Sequence, residues 1–135
     1  MIILEGCDAV GKTTTINALK KYDIKDRDKL ISKYMNFNIS TEERANFYYD
    51  YLSKTDNIII FLINNDKEEL ERRVKDREIQ DEYDKMAYLY NLLYLETYNY
   101  MEYKNLNKNL YLVDTTNLSV IEQIKKVEDL IKCLI

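Results

Sequence analysis

Three continuous apolar runs stand out along the chain: Ile2 to Leu4, Ile58 to Ile63 and Leu110 to Val113. Runs without polar alternation are the habit of strands buried on both faces, as in parallel sheets covered by helices, so each run predicts such a strand. A short fourth strand is expected over Asp23 to Lys25. Between the runs the pattern changes to helical spacing, with a start signal in each segment. Ser40 before Glu43, Asp66 before Glu69 and Ser119 before Glu122 each set a capping oxygen ahead of a glutamate at capping-box spacing. These starts predict helices over residues 41–53, 67–77 and 120–134. In the last of them Ile121, Ile124, Val127, Ile131 and Leu134 form an apolar stripe expected to lie against the sheet. A longer helix is predicted over residues 82–104. It is apolar almost all round, with Tyr83, Met86, Tyr90, Leu93, Tyr94, Tyr98 and Met101 on one side and Leu89, Leu92 and Leu95 on another. Such a helix is either deeply packed or partly an oligomer surface. Strand and helix in alternation mean an α/β layer fold.

Length and composition narrow this further. A chain of 135 residues predicts one domain, residues 1–135. With 46% hydrophobic and 33% charged residues it has the makings of a packed core and is neither disordered nor fibrous. There is no His, which removes the usual general base, His-dependent triads and His-ligated metals. Any catalysis is left to Lys, Arg, carboxylates, hydroxyls and backbone. Cys7 and Cys133 are too few for a disulfide framework and are expected to be free thiols. No run approaches the length of a membrane span, and the chain opens on a strand-like run rather than a leader, so a cytoplasmic location and no membrane contact are expected. The net charge of −4 argues against general nucleic-acid binding.

Both glycines of the chain fall in one segment, Gly6-Cys7-Asp8-Ala9-Val10-Gly11-Lys12-Thr13, which reads G-x-x-x-x-G-K-T between a predicted strand and a predicted helix. Gly6 and Gly11 would let the loop take backbone angles that a β-carbon forbids, turning successive N–H groups inward as an anion nest. Lys12 would reach the β- and γ-phosphates of a nucleoside triphosphate, and the Thr13 hydroxyl would ligate Mg²⁺. The expected fold is therefore a three-layer P-loop NTPase fold of the α/β class, with a small parallel sheet of about four strands flanked by helices.

The longer form, Leu4-Glu5-Gly6-Cys7-Asp8-Ala9-Val10-Gly11-Lys12-Thr13-Thr14, resembles the E-G-x-D-x-x-G-K-T-T loop of the thymidylate kinase family, within the broader P-loop nucleoside and nucleotide kinases. The resemblance implies ATP and Mg²⁺ as cofactors, residues 6–14 around the ATP phosphates, and Asp8 near the sugar of the acceptor. Asp26-Arg27 resembles the Asp-Arg motif that positions Mg²⁺ and an acceptor phosphate in these kinases, giving Asp26 to the metal and Arg27 to the acceptor. A carboxylate at the carboxyl end of a parallel strand also sits where ligands bind in open α/β sheets. Ser32-Lys33-Tyr34 resembles the serine and aromatic positions that follow in small phage-type members, which places Tyr34 near the acceptor.

Leu70-Glu71-Arg72-Arg73-Val74-Lys75-Asp76-Arg77 is similar to the R-x-x-x-R lid helix of the same family. Spacing of four puts Arg73 and Arg77 on one helix face, where two guanidinium groups could neutralise charge on a transferring phosphoryl. Glu69, Arg73, Arg77 and Asp81 also alternate in sign, which by itself describes a solvated, salt-bridged helix. Residue choice favours the lid, since three of only five Arg in a chain with 15 Lys crowd into this helix. Asp114-Thr115-Thr116-Asn117 resembles the loop beside the adenine ring, assigning Thr115 and Thr116 to the base.

One part of the family pattern has no counterpart. Members carry an additional strand and helices before the Asp-Arg strand, with an arginine and aromatics that grip the acceptor; here only Asp23 to Lys25 separate the first helix from Asp26. Tyr34, Phe37, Phe47, Tyr48, Tyr49 or Tyr51 could stand in by stacking on a base, although aromatics at helical spacing more often belong to a core.

The expected function is ATP-dependent phosphoryl transfer to a deoxynucleoside monophosphate or a nucleoside, with Lys12, Asp8, Arg73 and Arg77 as the catalytic set. The alternatives are a non-catalytic or regulatory NTP-binding module, its long apolar helix serving an interface such as a homodimer, and a polynucleotide end kinase, which the acidic charge disfavours. A signalling GTPase is disfavoured on order, since Asn64-Asn65-Asp66-Lys67 does not give the guanine-reading N-K-x-D pattern.

Overall fold

The uninterrupted apolar runs become strands because both of their faces are covered. The computed structural model describes residues 1–76 and 86–135. Among these, β1 is Ile2–Gly6, β2 is Ile24–Asp26, β3 is Ile58–Ile63 and β4 is Leu110–Asp114. They form one four-stranded sheet in the order β2-β1-β3-β4 with every pairing parallel. Ile2 pairs with Ile24 on one side and Ile58 on the other, and Leu62 pairs with Val113. The α/β class and the small parallel sheet flanked by helices follow the expectation from the sequence.

Successive side chains on a strand face opposite ways, and the two cores follow that alternation. Ile2, Leu4, Ile60, Leu62 and Val113 pack with Leu19, Leu70, Val127 and Ile131, under helices α1 (Lys12–Ala18), α4 (Lys67–Lys75) and α6 (Val120–Leu134). Ile3, Ile59, Phe61 and Ile63 pack with Ile31, Tyr48, Leu93 and Met101, under α2 (Lys29–Ser32), α3 (Thr41–Lys54) and α5 (Ala87–Tyr103). Tyr48 and Tyr94 both meet Phe61 edge to face, at centroid distances of 5.4 and 4.9 Å, an arrangement the ring quadrupoles favour. Buried Arg44 ties α3 to α5 through its Nε, which donates to Thr97 Oγ1 at 2.9 Å.

All three capping signals operate: the side chains of Ser40, Asp66 and Ser119 accept from the backbone N–H of Glu43, Glu69 and Glu122. At Ser119 the glutamate also reaches back, completing the capping box. Asp28 caps α2 by accepting from Leu30 N at 3.0 Å.

Four expectations are sharpened by the structure. The short strand begins at Ile24, because Asp23 takes a left-handed φ of 53° to close the 3-10 turn Lys20–Tyr22. The run at Leu110 forms an edge strand: Val113 enters one core and Leu110 the other, but Tyr111 and Leu112 are only half-buried. The long helix buries one side through Leu93, Tyr94 and Met101 and leaves Leu89 and Leu92 exposed. In α6, Ile121 is 79% exposed while Gln123 is buried beside Val127 and Ile131, so a polar residue occupies the inner stripe at its first turn. The predicted ends at residue 77 and over residues 82–85, Tyr83 included, lie outside the described residues.

The topology makes the carboxyl end of β1 the place for a site. The chain crosses from β1 to β2 through α1 on one face and returns from β2 past β1 to β3 through α2 and α3 on the other. Open α/β sheets bind ligands outside strand carboxyl ends at such a switch in direction, and the segments gathered there are residues 7–11, Arg27 and Asn64–Asp66.

Candidate functional site

The loop between β1 and α1 is shaped by both glycines, for different reasons. Gly11 takes φ 93°, open to glycine at little cost. Gly6 does not have a positive φ, contrary to the expectation that both loop angles exclude a β-carbon. Its constraint is space, since a Cβ there would meet Leu62 O at 2.7 Å and Val10 Cγ1 at 2.9 Å. The left-handed residue in mid-loop is Ala9, at φ 67°. Cys7 and Val10 are buried beneath the loop, and burial pushes the Cys7 thiol up to about 12, so it stays protonated.

Lys12 opens α1 and is only 8% exposed. Its Nζ donates to Gly6 O at 3.1 Å and stands 4.0 Å from Asp26 Oδ1. Burial is the main force lowering its pKa, helped by the Arg27 charge, while Asp26 and Asp8 oppose the shift. Thr13 and Thr14 are exposed on the following turn.

Beside the loop opens a cavity of about 410 Å³. Asp8 of the loop and Lys12, Thr13 and Thr14 of α1 line it, with Arg72 and Arg73 from α4 and Gln123 from α6. Glu69 holds both arginines, accepting from Arg72 Nε at 3.0 Å and from Arg73 Nε at 3.0 Å, and its carboxyl is lowered chiefly by the bond from Arg72. The remaining reach of Arg73 goes to the loop, where its guanidinium donates to Ala9 O at 3.1 Å. The alternating charges on α4 and its approach to the glycine loop are thus features of the same side chains. Arg72 was not among the residues singled out from sequence; its signal was a glutamate three residues before it. Arg77 lies outside the described residues.

A second cavity, of about 490 Å³, lies on the other side of Asp8. Cys7 and Asp8 line both. Arg27, Lys29 and Lys33 bring positive charge to the second cavity, with Tyr90 and Tyr94 as its aromatic wall. Arg27 is positioned by a left-handed φ of 57° and by its N–H, which donates to Leu4 O at 3.1 Å. Its guanidinium comes within 4.0 Å of Asp8 Oδ1.

Other expected residues fall elsewhere. Tyr34 stacks on Phe47 with centroids 3.7 Å apart and planes 9° from parallel, outside the lining of either cavity. Tyr48 is core, Tyr51 donates to Asp28 Oδ2 at 2.7 Å, and Phe37 packs on Tyr90. Thr115 is buried, its Oγ1 donating to Ile63 O at 2.9 Å, and the Thr116 hydroxyl accepts from Asn65 N at 2.8 Å. Both threonines tie the end of β4 to β3, and neither lines the cavities.

Two polar residues were given no role by the sequence reading. Glu5 projects from β1 on the Ile3 side, fully buried, with Oε2 accepting from Tyr48 OH at 3.0 Å and Oε1 without a partner among the described residues. Burial pushes its carboxyl up to about 7 against the Tyr48 bond and the Arg27 and Lys12 charges. The other is Gln123, whose Nε2 lies 3.1 Å from Val10 O, 3.4 Å from Gly11 O and 3.1 Å from Thr15 Oγ1.

Among the described residues no group of three or more Cys, Asp or Glu could by itself hold a metal ion. No described helix is long and apolar enough to cross a membrane. Comparison with protein-family models and with curated proteins finds no match to this chain.

Proposed function

We propose that the chain is a phosphotransferase of the P-loop nucleoside and nucleotide kinase type, moving the γ-phosphoryl of ATP to a deoxynucleoside monophosphate or a close relative of one. The observation that carries this reading is the meeting of two basic cavities at Asp8, one lined by the glycine loop with Lys12 and Arg73, the other by Arg27, Lys29 and Lys33. Phosphoryl transfer needs donor and acceptor held in line and in contact, and little else from the protein beyond stabilised charge. Two adjoining cationic cavities sharing one wall meet that need.

In this reading Lys12 leaves Gly6 O for the β- and γ-phosphate oxygens, and Arg73 with Arg72 neutralises charge on the transferring group. The sequence pattern G-x-x-x-x-G-K-T supports the same assignment independently of the cavities. The exposed Thr13 hydroxyl and the Asp26 carboxylate near Lys12 suit Mg²⁺, which keeps several waters and takes few protein ligands. When bound with the nucleotide, the ion would supply charge neutralisation at the phosphates. Three cations against Asp8 in the second cavity favour an acceptor that already carries a phosphate over a neutral nucleoside. Asp8, between the two, orients that acceptor.

The test is ADP release from Mg-ATP against a panel of nucleosides, deoxynucleosides and their monophosphates, with Lys12→Ala as the blank. Turnover that depends on a monophosphate supports the proposal and names the acceptor. ATP binding with no acceptor-dependent turnover would overturn it in favour of a nucleotide-binding module.

A further inference from the structure

We propose that Gln123 is the positioning residue that holds the glycine loop in its phosphate-receiving shape, an inference that rests on the phosphotransferase reading of this site. The argument begins with the direction of peptide groups. In a trans peptide the C=O and the next N–H point opposite ways, and the described residues contain no cis bond. The Gln123 amide at 3.1 Å from Val10 O fixes the first plane, and at 3.4 Å from Gly11 O it bears on the next. Gly11 O also accepts from Thr15 N at 3.0 Å, so that carbonyl is held from two sides. The N–H groups of Gly11 and Lys12 are thereby turned away from the Gln123 amide, the direction an anion nest requires. If these carbonyls rotated freely, they could face a bound phosphate and repel it.

A second observation comes from Gly11 itself. A Cβ at that position would lie 2.7 Å from Gln123 Nε2, so a side chain there would displace the glutamine amide from the loop. Gly11 thus leaves the room that the glutamine amide occupies, while its own need for glycine rests on the left-handed φ of 93°. Burial of a carboxamide among apolar neighbours is costly unless its hydrogen bonds are made. Gln123 is 5% exposed at the first turn of α6, next to the Val127 and Ile131 stripe. Its Nε2 has the loop carbonyls and Thr15 Oγ1 at 3.1 Å as acceptors.

The test uses Gln123→Met, which keeps length and bulk but donates nothing, in the full chain. Binding of Mg-ATP and of inorganic tripolyphosphate is measured beside kcat, KM and the melting temperature of the free protein. Expected is an equal loss for both ligands of about tenfold, with KM rising and kcat within about twofold of the parent. Thr15→Val, which removes the third acceptor and leaves the glutamine in place, should weaken both ligands in the same ratio and by less; it carries the test if the methionine variant does not fold. Loss confined to ATP would overturn the inference by making Gln123 a contact to base or sugar. Unchanged affinities with only a lower melting temperature would overturn it by reducing the residue to packing. A parent protein that binds neither ligand would instead remove the phosphotransferase reading, and this inference with it.

Discussion

Asp8 and Arg27 face each other at 4.0 Å where two cavities adjoin, the carboxylate lining both and the guanidinium only the second. A charge in that position can bear on an acceptor without being needed to hold the donor's phosphates. Asp8→Asn is therefore expected to lower kcat by about 10- to 100-fold while Mg-ATP affinity stays within a few-fold. Steady-state kinetics against direct ATP binding checks the split; equal losses in both would contradict it.

Lys12 is held below its ordinary pKa chiefly by burial, and it stays near Gly6 O and Asp26. Lys12→Ala removes the cation that the proposed function assigns to the phosphates. Turnover should fall by about 10²- to 10³-fold or more, with the far-ultraviolet spectrum of the variant unchanged. Parent-like rates would sink the proposed mechanism.

Arg73 has its Nε on Glu69 and its terminal nitrogen on Ala9 O, a forked geometry that an ammonium cannot reproduce. Arg73→Lys should thus behave nearly as badly as Arg73→Ala, each costing about tenfold or more in kcat. Rescue by lysine would show that point charge alone suffices. Glu69→Gln, which weakens the hold on both arginines, should give a milder version of the same loss.

Glu5 gives a pH dependence with a definite sign. Its carboxyl moves from an ordinary 4.5 to about 7 in the folded chain, driven first by burial. The folded state therefore binds the proton more tightly than the unfolded state. Its contribution to stability is complete below pH 4.5, is lost as pH rises through 7, and is flat above that. The loss across this window is about 3 kcal/mol. Glu5→Gln should flatten the difference, so that denaturant midpoints of parent and variant diverge most steeply between pH 4.5 and 7. Parallel curves for the two proteins would refute the assignment.

Gly6→Ala places a methyl group 2.7 Å from Leu62 O, a backbone atom of the central strand that cannot swing aside. A destabilisation of about 1–3 kcal/mol is expected from overpacking, read by urea denaturation. No change in the midpoint would mean that the loop shifts freely at its root.

The sheet was legible because nothing but burial on two faces explains Ile58 to Ile63, and the helix starts because Ser40, Asp66 and Ser119 each stand one capping interval before a glutamate. The edge position of Leu110 to Val113 was not legible, since strand order is a tertiary fact that composition within a run does not encode. Lys12 and the glycines could be placed from spacing alone. Gln123 and Glu5 could not, because each interrupts an apolar pattern, and an interruption reads as surface until the neighbour that satisfies it is known. For Gln123 that neighbour is a turn of bare backbone more than a hundred residues away; for Glu5 it is Tyr48, on a helix across the sheet face. Thr115 is the reverse case: its place in a polar turn at a strand end suggested a ligand, and in the structure its hydroxyl donates to Ile63 O of the neighbouring strand.

The two thiols differ in a way that bears on how the protein can be observed. Cys7 is buried under the glycine loop and held protonated, while Cys133 is exposed near the end of α6. A maleimide dye should therefore attach at a single position without touching the loop. At 1.5 Å per residue, ten residues of helix place that dye about 15 Å from the Gln123 backbone along the axis. The terminal helix thus offers an optical handle: a fluorophore at one end, the turn that meets the glycine loop at the other, and a rigid rod between them through which any tilt on ligand binding would register as a change in signal.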